Sequence, residues 1–285
     1  MTPSRRDFLR TTSLAGTALA LGPAVRVASQ ANAASVPAPT TSVAPKKLLI
    51  LGGTGFIGPN MVKYALARGH EVTILTRGRS ATKVDGVEHI TADREGDLGM
   101  LSKRKWDVVL DNNARDYRWV TRSVKALKDS TGHYLFVSSI SAYKTPGFSY
   151  ATAGQVRTVP VEESFERFAP AGDFKDGVEA PYGLSKAMSE NFVHANFPSG
   201  TTVVRPGLIV GPGDPTDRFT YWPVRIDEGG EVLAPGNPDH ASQVIDQRDL
   251  TEWIVRLAEN GVKGDFNATG PGTRMSMLEM LAGCR

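Results

Sequence analysis

Between the apolar run Lys46-Lys47-Leu48-Leu49-Ile50-Leu51 and a helical pattern carried by Met61, Tyr64, Ala65 and Leu66 stands Gly52-Gly53-Thr54-Gly55-Phe56-Ile57-Gly58. The run before it is short and mostly apolar, as a strand buried on both faces of a parallel sheet must be. Glycines at 52, 55 and 58 permit a tight turn, close approach of backbone to a pyrophosphate, and tight packing of helix on strand. The free N–H groups of the helix start, helped by the helix dipole, would take the phosphates. A glycine triplet alone is weak. Its place between strand and helix, with a second strand Glu71-Val72-Thr73-Ile74-Leu75 at the expected distance, makes it a dinucleotide cradle. Gly52, Gly55, Phe56, Ile57 and Gly58 are the expected contacts.

An acid at the end of the second strand would bind the ribose hydroxyls of NAD. Thr76-Arg77-Gly78-Arg79 stands there instead, so two guanidinium groups are available for a 2′-phosphate. NADP(H) is therefore expected ahead of NAD(H). The alternative is that Arg77 and Arg79 only edge a solvated loop. Val87-Glu88-His89-Ile90, Trp106 to Asp111 and Tyr134 to Ser139 read as further strands, with a helical stretch over 114–129. Strands alternating with helices predict an α/β fold, a doubly wound parallel sheet of Rossmann type, with ligands outside the carboxyl ends of the strands. Asp93, Asn113 and Ser139 come to that rim.

Charge locates a separate leader. The chain has 33 Lys+Arg against 30 Asp+Glu, a net of +3, and the excess lies before residue 34, in Arg5, Arg6, Arg10 and Arg26 against Asp7. The chain from residue 34 onward is formally neutral, so it lacks the broad positive field of nucleic-acid binders, and nucleic acid is not an expected partner. Ser4-Arg5-Arg6-Asp7-Phe8-Leu9 resembles a bacterial twin-arginine export signal, with Arg10 in place of its final Lys. The stretch from Thr11 to Val25 falls short of the about 20 strongly apolar residues of a membrane span, so no stable anchor is expected. Ala31-Asn32-Ala33 supplies small residues at signal-peptidase spacing. The expected divisions are a signal peptide over 1–33, a Pro/Ser/Thr linker over 34–45, a Rossmann domain over 46–204, and a smaller substrate lobe over 205–285 interleaved with the last Rossmann elements. That lobe reads as cut short, because Met277 to Leu281 is a helix barely begun. The twin-arginine machinery would be a partner, and the periplasm or the outside of a bacterial cell the destination. Cys284 is the lone cysteine, which excludes a disulfide framework and a cysteine metal cluster, and no metal site is expected.

Tyr182-Gly183-Leu184-Ser185-Lys186 places Tyr and Lys at i and i+4 on one helix face. An ammonium beside a phenol lowers the phenol's pKa towards working pH and makes Tyr182 a general acid/base. The glycine loop, the serine pair Ser138-Ser139 and this helix occur in that order. Together with Arg205-Pro206-Gly207-Leu208-Ile209-Val210-Gly211-Pro212-Gly213-Asp214 and Ile245-Asp246-Gln247-Arg248-Asp249-Leu250, they resemble the short-chain dehydrogenase/reductase superfamily. The specific likeness is to its extended branch, the NAD-dependent epimerase/dehydratase family, and it covers nearly all of 46–285. The resemblance implies that Ser139 hydrogen-bonds the reacting oxygen, Tyr182 transfers the proton, and Lys186 binds the nicotinamide ribose and tunes the tyrosine. It further implies that Asp93 contacts adenine and that Asn113-Ala114 lines the cofactor; a homodimer is allowed. Without it, Ser139 would pass for a strand-end cap and Tyr182 for an ordinary helix tyrosine. Residues 144–179 form a longer polar insertion than is usual, a pocket wall or a surface loop.

Substrate contacts are sparser. In Asp217-Arg218-Phe219-Thr220-Tyr221-Trp222, Arg218 would clamp a phosphate or carboxylate and Tyr221 stack on a sugar or base, against the simpler expectation that the segment packs one lobe on the other. Asp249 is expected to cap the helix that begins beside it. The twin-arginine route exports folded proteins, so a nucleotide can travel inside, but soluble NADP(H) is not regenerated outside. The expected function is thus a redox-neutral epimerase or dehydratase, or a coupled oxidoreductase, with captive NADP(H) and a small sugar or sugar-nucleotide-like substrate. The alternatives are a simple NADP-dependent carbonyl reductase kept inside the cell, and a non-catalytic RNA-binding use of the scaffold resembling chloroplast stem-loop binding proteins.

Overall fold

The computed structural model describes residues 43–80, 84–112, 114–144, 161–170 and 178–285. The expected signal peptide, most of the linker, Asn113 and much of the insertion lie outside the described residues. In chain order the elements are β1 (Lys47–Leu51), α1 (Gly58–Ala67), β2 (Glu71–Thr76), β3 (Glu88–Thr91), β4 (Val108–Asp111), α2 (Tyr117–Leu127), β5 (Tyr134–Val137), α3 (Tyr182–Asn196), β6 (Thr201–Pro206), β7 (Leu208–Val210), α4 (Asp217–Asp227), β8 (Ala241–Ser242), β9 (Val244–Asp246), α5 (Gln247–Glu259), β10 (Gly264–Ala268), β11 (Met275–Ser276) and α6 (Met277–Gly283).

Seven strands form one parallel sheet in the order β10-β6-β5-β4-β1-β2-β3. The order reverses between β1 and β4, where a doubly wound sheet opens a crevice at its carboxyl edge. Side chains of β1 alternate between the faces, as the pleat requires. Leu48 and Ile50 join Met61, Val62 and Ala65 of α1 and Leu250, Ile254 and Val255 of α5. Leu49 and Leu51 join Val120, Val124 and Leu127 of α2 and Val193 of α3. The molecule is thus an α/β/α sandwich with apolar strands at its centre. On one flank α1 and α5 are also riveted by charge. Arg68 donates to Glu259 at 2.6 and 2.8 Å, and His70 Nε2 lies 2.9 Å from the same carboxylate, with all three side chains buried.

Several boundaries move for identifiable reasons. The expected helix over 114–129 begins at Tyr117, because the Asp116 side chain accepts from Arg118 N and caps it. The fifth strand stops at Val137 rather than Ser139. Ser138 N still donates to Val204 O at 2.7 Å, but Ser139 turns out of the ladder and its hydroxyl accepts from Ser141 N at 3.1 Å. The cap of α5 is Asp246, whose carboxylate accepts from Arg248 N at 2.7 Å. Asp249 is not the cap; it lies in the first turn, where an acid complements the helix dipole. β10, with the sequence GDFNA, pairs with β6 to complete the sheet after an excursion of the chain through β7, α4, β8, β9 and α5.

Candidate active site at the carboxyl rim

The glycine loop follows β1 directly. Gly52 takes φ +98°, a left-handed conformation that side chains rarely adopt, and its N–H donates to Leu75 O at 2.9 Å. A Cβ on Gly58 would lie 2.5 Å from both the Gly52 carbonyl oxygen and the Gly53 carbonyl carbon, so only glycine lets α1 approach the loop this closely. Ile57, at the start of α1, offers no side-chain cap, and no acid stands in the first turn. Its own side chain is buried in the core, which leaves only its backbone to the loop, while Phe56 stays partly exposed. These features fit the pyrophosphate of a dinucleotide.

Beside the loop runs a cleft of about 250 Å³ lined by Gly52, Gly55, Thr76, Arg77, Arg79 and Asp93. The structure thus gathers both arginines and Asp93 on one wall. Arg79 Nη2 lies 4.0 Å from Asp93 Oδ2 in an exposed pair. Asn112, at the end of β4, was not singled out by sequence. Its buried Oδ1 has no hydrogen-bond partner among the described residues, at the crevice where the strand order reverses. Its neighbour Asn113, the expected cofactor contact, lies outside the described residues.

The second cluster lies across the rim. Tyr182 opens α3, and Ser139 lies beside its hydroxyl, where it favours the phenolate. Lys186, one turn on and buried, donates to Val137 O at 2.8 Å, with its Nζ 4.8 Å from the Phe136 ring centre and 5.8 Å from that of Tyr182. Gly183 is required between them, because a Cβ there would meet Ser141 O at 2.2 Å. Burial pulls the Lys186 ammonium down to about 8, against the opposing pull of Asp111 and Glu190. Tyr182 corrects one expectation. Although the residue is 45% exposed, loss of solvation around its hydroxyl pushes the phenol above its ordinary value, and Ser139 and the charges of Arg115 and Arg218 only partly oppose this. Lys186 points instead at the Val137 carbonyl and is not among the groups that oppose this rise.

Arg218 and Tyr221 fall on α4, which buries none of its residues, so the expected packing of this segment between lobes does not account for them. Tyr221 is 47% exposed and meets Trp222 edge-on at 5.0 Å. Among the described residues, the Thr216 hydroxyl accepts from the Arg218 Nε at 3.0 Å. No group of His, Cys, Asp and Glu among the described residues could hold a metal ion, and no helix among them is long and apolar enough to cross a membrane.

Residues 48–269 match the NAD dependent epimerase/dehydratase family. The chloroplast stem-loop binding protein of 41 kDa b from Arabidopsis thaliana is 34% identical over 246 residues, covering 79% of this chain and 59% of that protein. The 2-alkyl-3-oxoalkanoate reductase of Stenotrophomonas maltophilia is 30% identical over 175 residues, covering 59% and 52%. The chain therefore matches little more than half the length of these two relatives. The fold is that of the Bordetella bronchiseptica enzyme WbmG in complex with NAD and UDP, at TM-score 0.62 and 19% identity over 88% of this chain and 79% of that one. The match runs from β1 through the glycine loop and the Tyr182 helix to β10, and the chain belongs to the NAD-dependent epimerase/dehydratase family.

Proposed function

We propose that this protein is an epimerase- or dehydratase-type oxidoreductase that holds NADP(H) and acts on a sugar or sugar-nucleotide-like substrate. The observation that carries this reading is the meeting of Tyr182, Ser139 and Lys186 at the carboxyl rim that also holds the glycine loop. A bound nicotinamide dinucleotide would accept a hydride from the substrate and return it. Tyr182 would take the proton of the substrate hydroxyl, with Ser139 steadying the same oxygen. Arg115 and Arg218 favour the phenolate that proton transfer requires. Lys186, one turn further along the same helix and buried, would face the nicotinamide ribose and add positive charge beside it. Arg77 and Arg79, where an acid would serve NAD, support the choice of NADP(H), and the UDP held by WbmG supports a nucleotide-linked sugar. The twin-arginine motif supports export with the nucleotide already inside, and captive nucleotide favours redox-neutral turnover.

Tyr182→Phe should lower turnover by about 100-fold or more, while nucleotide affinity moves by less than about threefold. Unchanged turnover would remove Tyr182 from the chemistry. Protein purified natively from the periplasm should release close to one NADP(H) per chain. Release of NAD, or tighter binding of NAD in titration, would overturn the cofactor choice. A second reading rests on the Arabidopsis relative, named for stem-loop binding. It requires a salt-dependent shift of stem-loop RNA, which a chain formally neutral from residue 34 onward should not give.

A further inference from the structure

One stripe of α3 holds three consecutive residues at the end of β5. Tyr182 has Ser139 beside its hydroxyl, Lys186 donates to the Val137 carbonyl, and Glu190 accepts from the Ser138 hydroxyl. These three lie at i, i+4 and i+8, the spacing at which side chains stack along one helix face. Ser138 is fixed on its other side by its N–H, which donates to Val204 O at 2.7 Å. Glu190, with no exposed surface, is itself held from two directions. Arg205 of β6 donates to it from Nε at 3.0 Å and Nη2 at 2.9 Å, and Arg167 donates from Nη1 at 2.6 Å. Arg205 continues to Tyr143, at 2.9 Å, and to Asp265 of β10, at 2.6 Å. Arg167 comes from a segment that pairs antiparallel with Tyr143, in which Phe168 N donates to Ala142 O at 2.9 Å.

We propose that Glu190, braced by Arg205 and Arg167, is a positioning residue that sets the Ser139 hydroxyl against Tyr182 by gripping the neighbouring Ser138. A buried carboxylate facing two guanidinium groups is an expensive way to hold a core together, since apolar residues of similar volume usually do as well. What an apolar replacement could not supply is a directional acceptor for Ser138. Ser139 has left the strand ladder, so its orientation depends on how firmly Val137 and Ser138 are held. The proposal rests on the reading of Tyr182 and Ser139 as the reacting groups.

Ser138→Ala is the informative substitution, because it removes the grip and leaves Glu190, Arg205 and Arg167 paired. The readout is the titration of residue 182 in full-length protein grown with 3-fluorotyrosine, its fluorine resonance assigned by its loss in Tyr182→Phe. A phenolate that loses one well-placed hydrogen bond titrates higher by about one pH unit, and Ser138→Ala should show that rise. Asp265→Asn weakens the same cluster at its far end without touching Ser138, and should leave the midpoint within about 0.3 of the parent. A merely structural cluster predicts that both variants melt lower and neither moves the titration. An unmoved midpoint in folded Ser138→Ala overturns the proposal. Should that variant not fold, Glu190→Asp carries the same test, since it withdraws the carboxylate by one methylene yet keeps its charge for both arginines. The titration needs no substrate, so it stands even if Tyr182→Phe retains turnover and the reading of the reaction fails.

Discussion

The strands on either side of the glycine loop and the excursion through α4 are built on different terms. β1, β4, β5 and β6 bury all but one of their residues, and β1, β4 and β5 turn alternate side chains into one of two apolar layers. α4 buries none, β8 and β11 are two residues each, and Leu233 stands 90% exposed. Apolar burial is what offsets the loss of chain entropy, so the first region carries its own stability and the second belongs to the low-stability end of the molecule. The residues proposed to take part in the reaction come from both regions. Ser139 and Lys186 are set in the rigid part, and Arg218 and Tyr221 in the loose one. On the proposed reading, the buried frame would hold the chemistry and the exposed α4 would offer a wall to the substrate.

The sharpest way to break this comparison is through the centre of the sheet. Leu110 in β4 has no exposed surface and lies between β1 and β5. Leu110→Ala should cost about 3 to 4 kcal/mol, measured by urea unfolding, because the close-packed strands around it cannot collapse into the space. A loss below about 1 kcal/mol would mean that the sheet is far looser than its packing indicates.

That contrast also explains what could be read from sequence. The strands that lie buried on both faces announce themselves as apolar runs, and β1, β2, β4 and β5 fall within two residues of the expected Lys46 to Leu51, Glu71 to Leu75, Trp106 to Asp111 and Tyr134 to Ser139. The glycine loop was legible because each glycine answers a steric demand, as Gly58 shows. β10 was not. Its Gly264-Asp265-Phe266-Asn267-Ala268 has polar residues where a central strand is apolar, because Asp265 and Asn267 are spent on Arg205 and Tyr143. The grip of Glu190 on Ser138 was invisible for the same reason, since it joins residues 52 positions apart through partners that only the fold assembles. Sequence also placed Lys186 beside Tyr182 without revealing where its ammonium points.

A smaller effect tests the charged rivet that holds α5 on α1. Burial by itself would raise the Glu259 carboxyl, but hydrogen bonds and charge from Arg68 and His70 outweigh it and hold the group below the usual glutamate range. A carboxyl whose pKa is lower folded than unfolded binds its proton first in the unfolded chain. Its stabilisation is therefore complete above the ordinary value of 4.5 and is lost as pH falls through the folded one. Glu259→Gln should cost about 2 to 3 kcal/mol at pH 7, since it strands a buried guanidinium. The parent should lose more of its melting temperature than the variant between pH 5 and pH 3. Equal losses would show that the rivet stays closed in acid, and that this flank is held by its leucines and valines alone.

The smallest effect is expected on α4, and there a null result carries the information. Val224 is 56% exposed, one residue past Pro223, which cannot donate a hydrogen bond within the helix. Val224→Ala removes apolar surface that already faces water and raises helix propensity slightly, two changes that nearly cancel. The melting temperature should stay within about 2 °C of the parent, equivalent to less than about 0.5 kcal/mol. Should the variant instead melt as far below the parent as a core substitution does, α4 must be packed in solution against something it does not touch in the described chain. The loose region would then be a docking face and not a free wall of the substrate site. A variant that melts like the parent but binds substrate more weakly would place α4 against the substrate, and the contrast between a self-supporting frame and a substrate-shaped wall would hold.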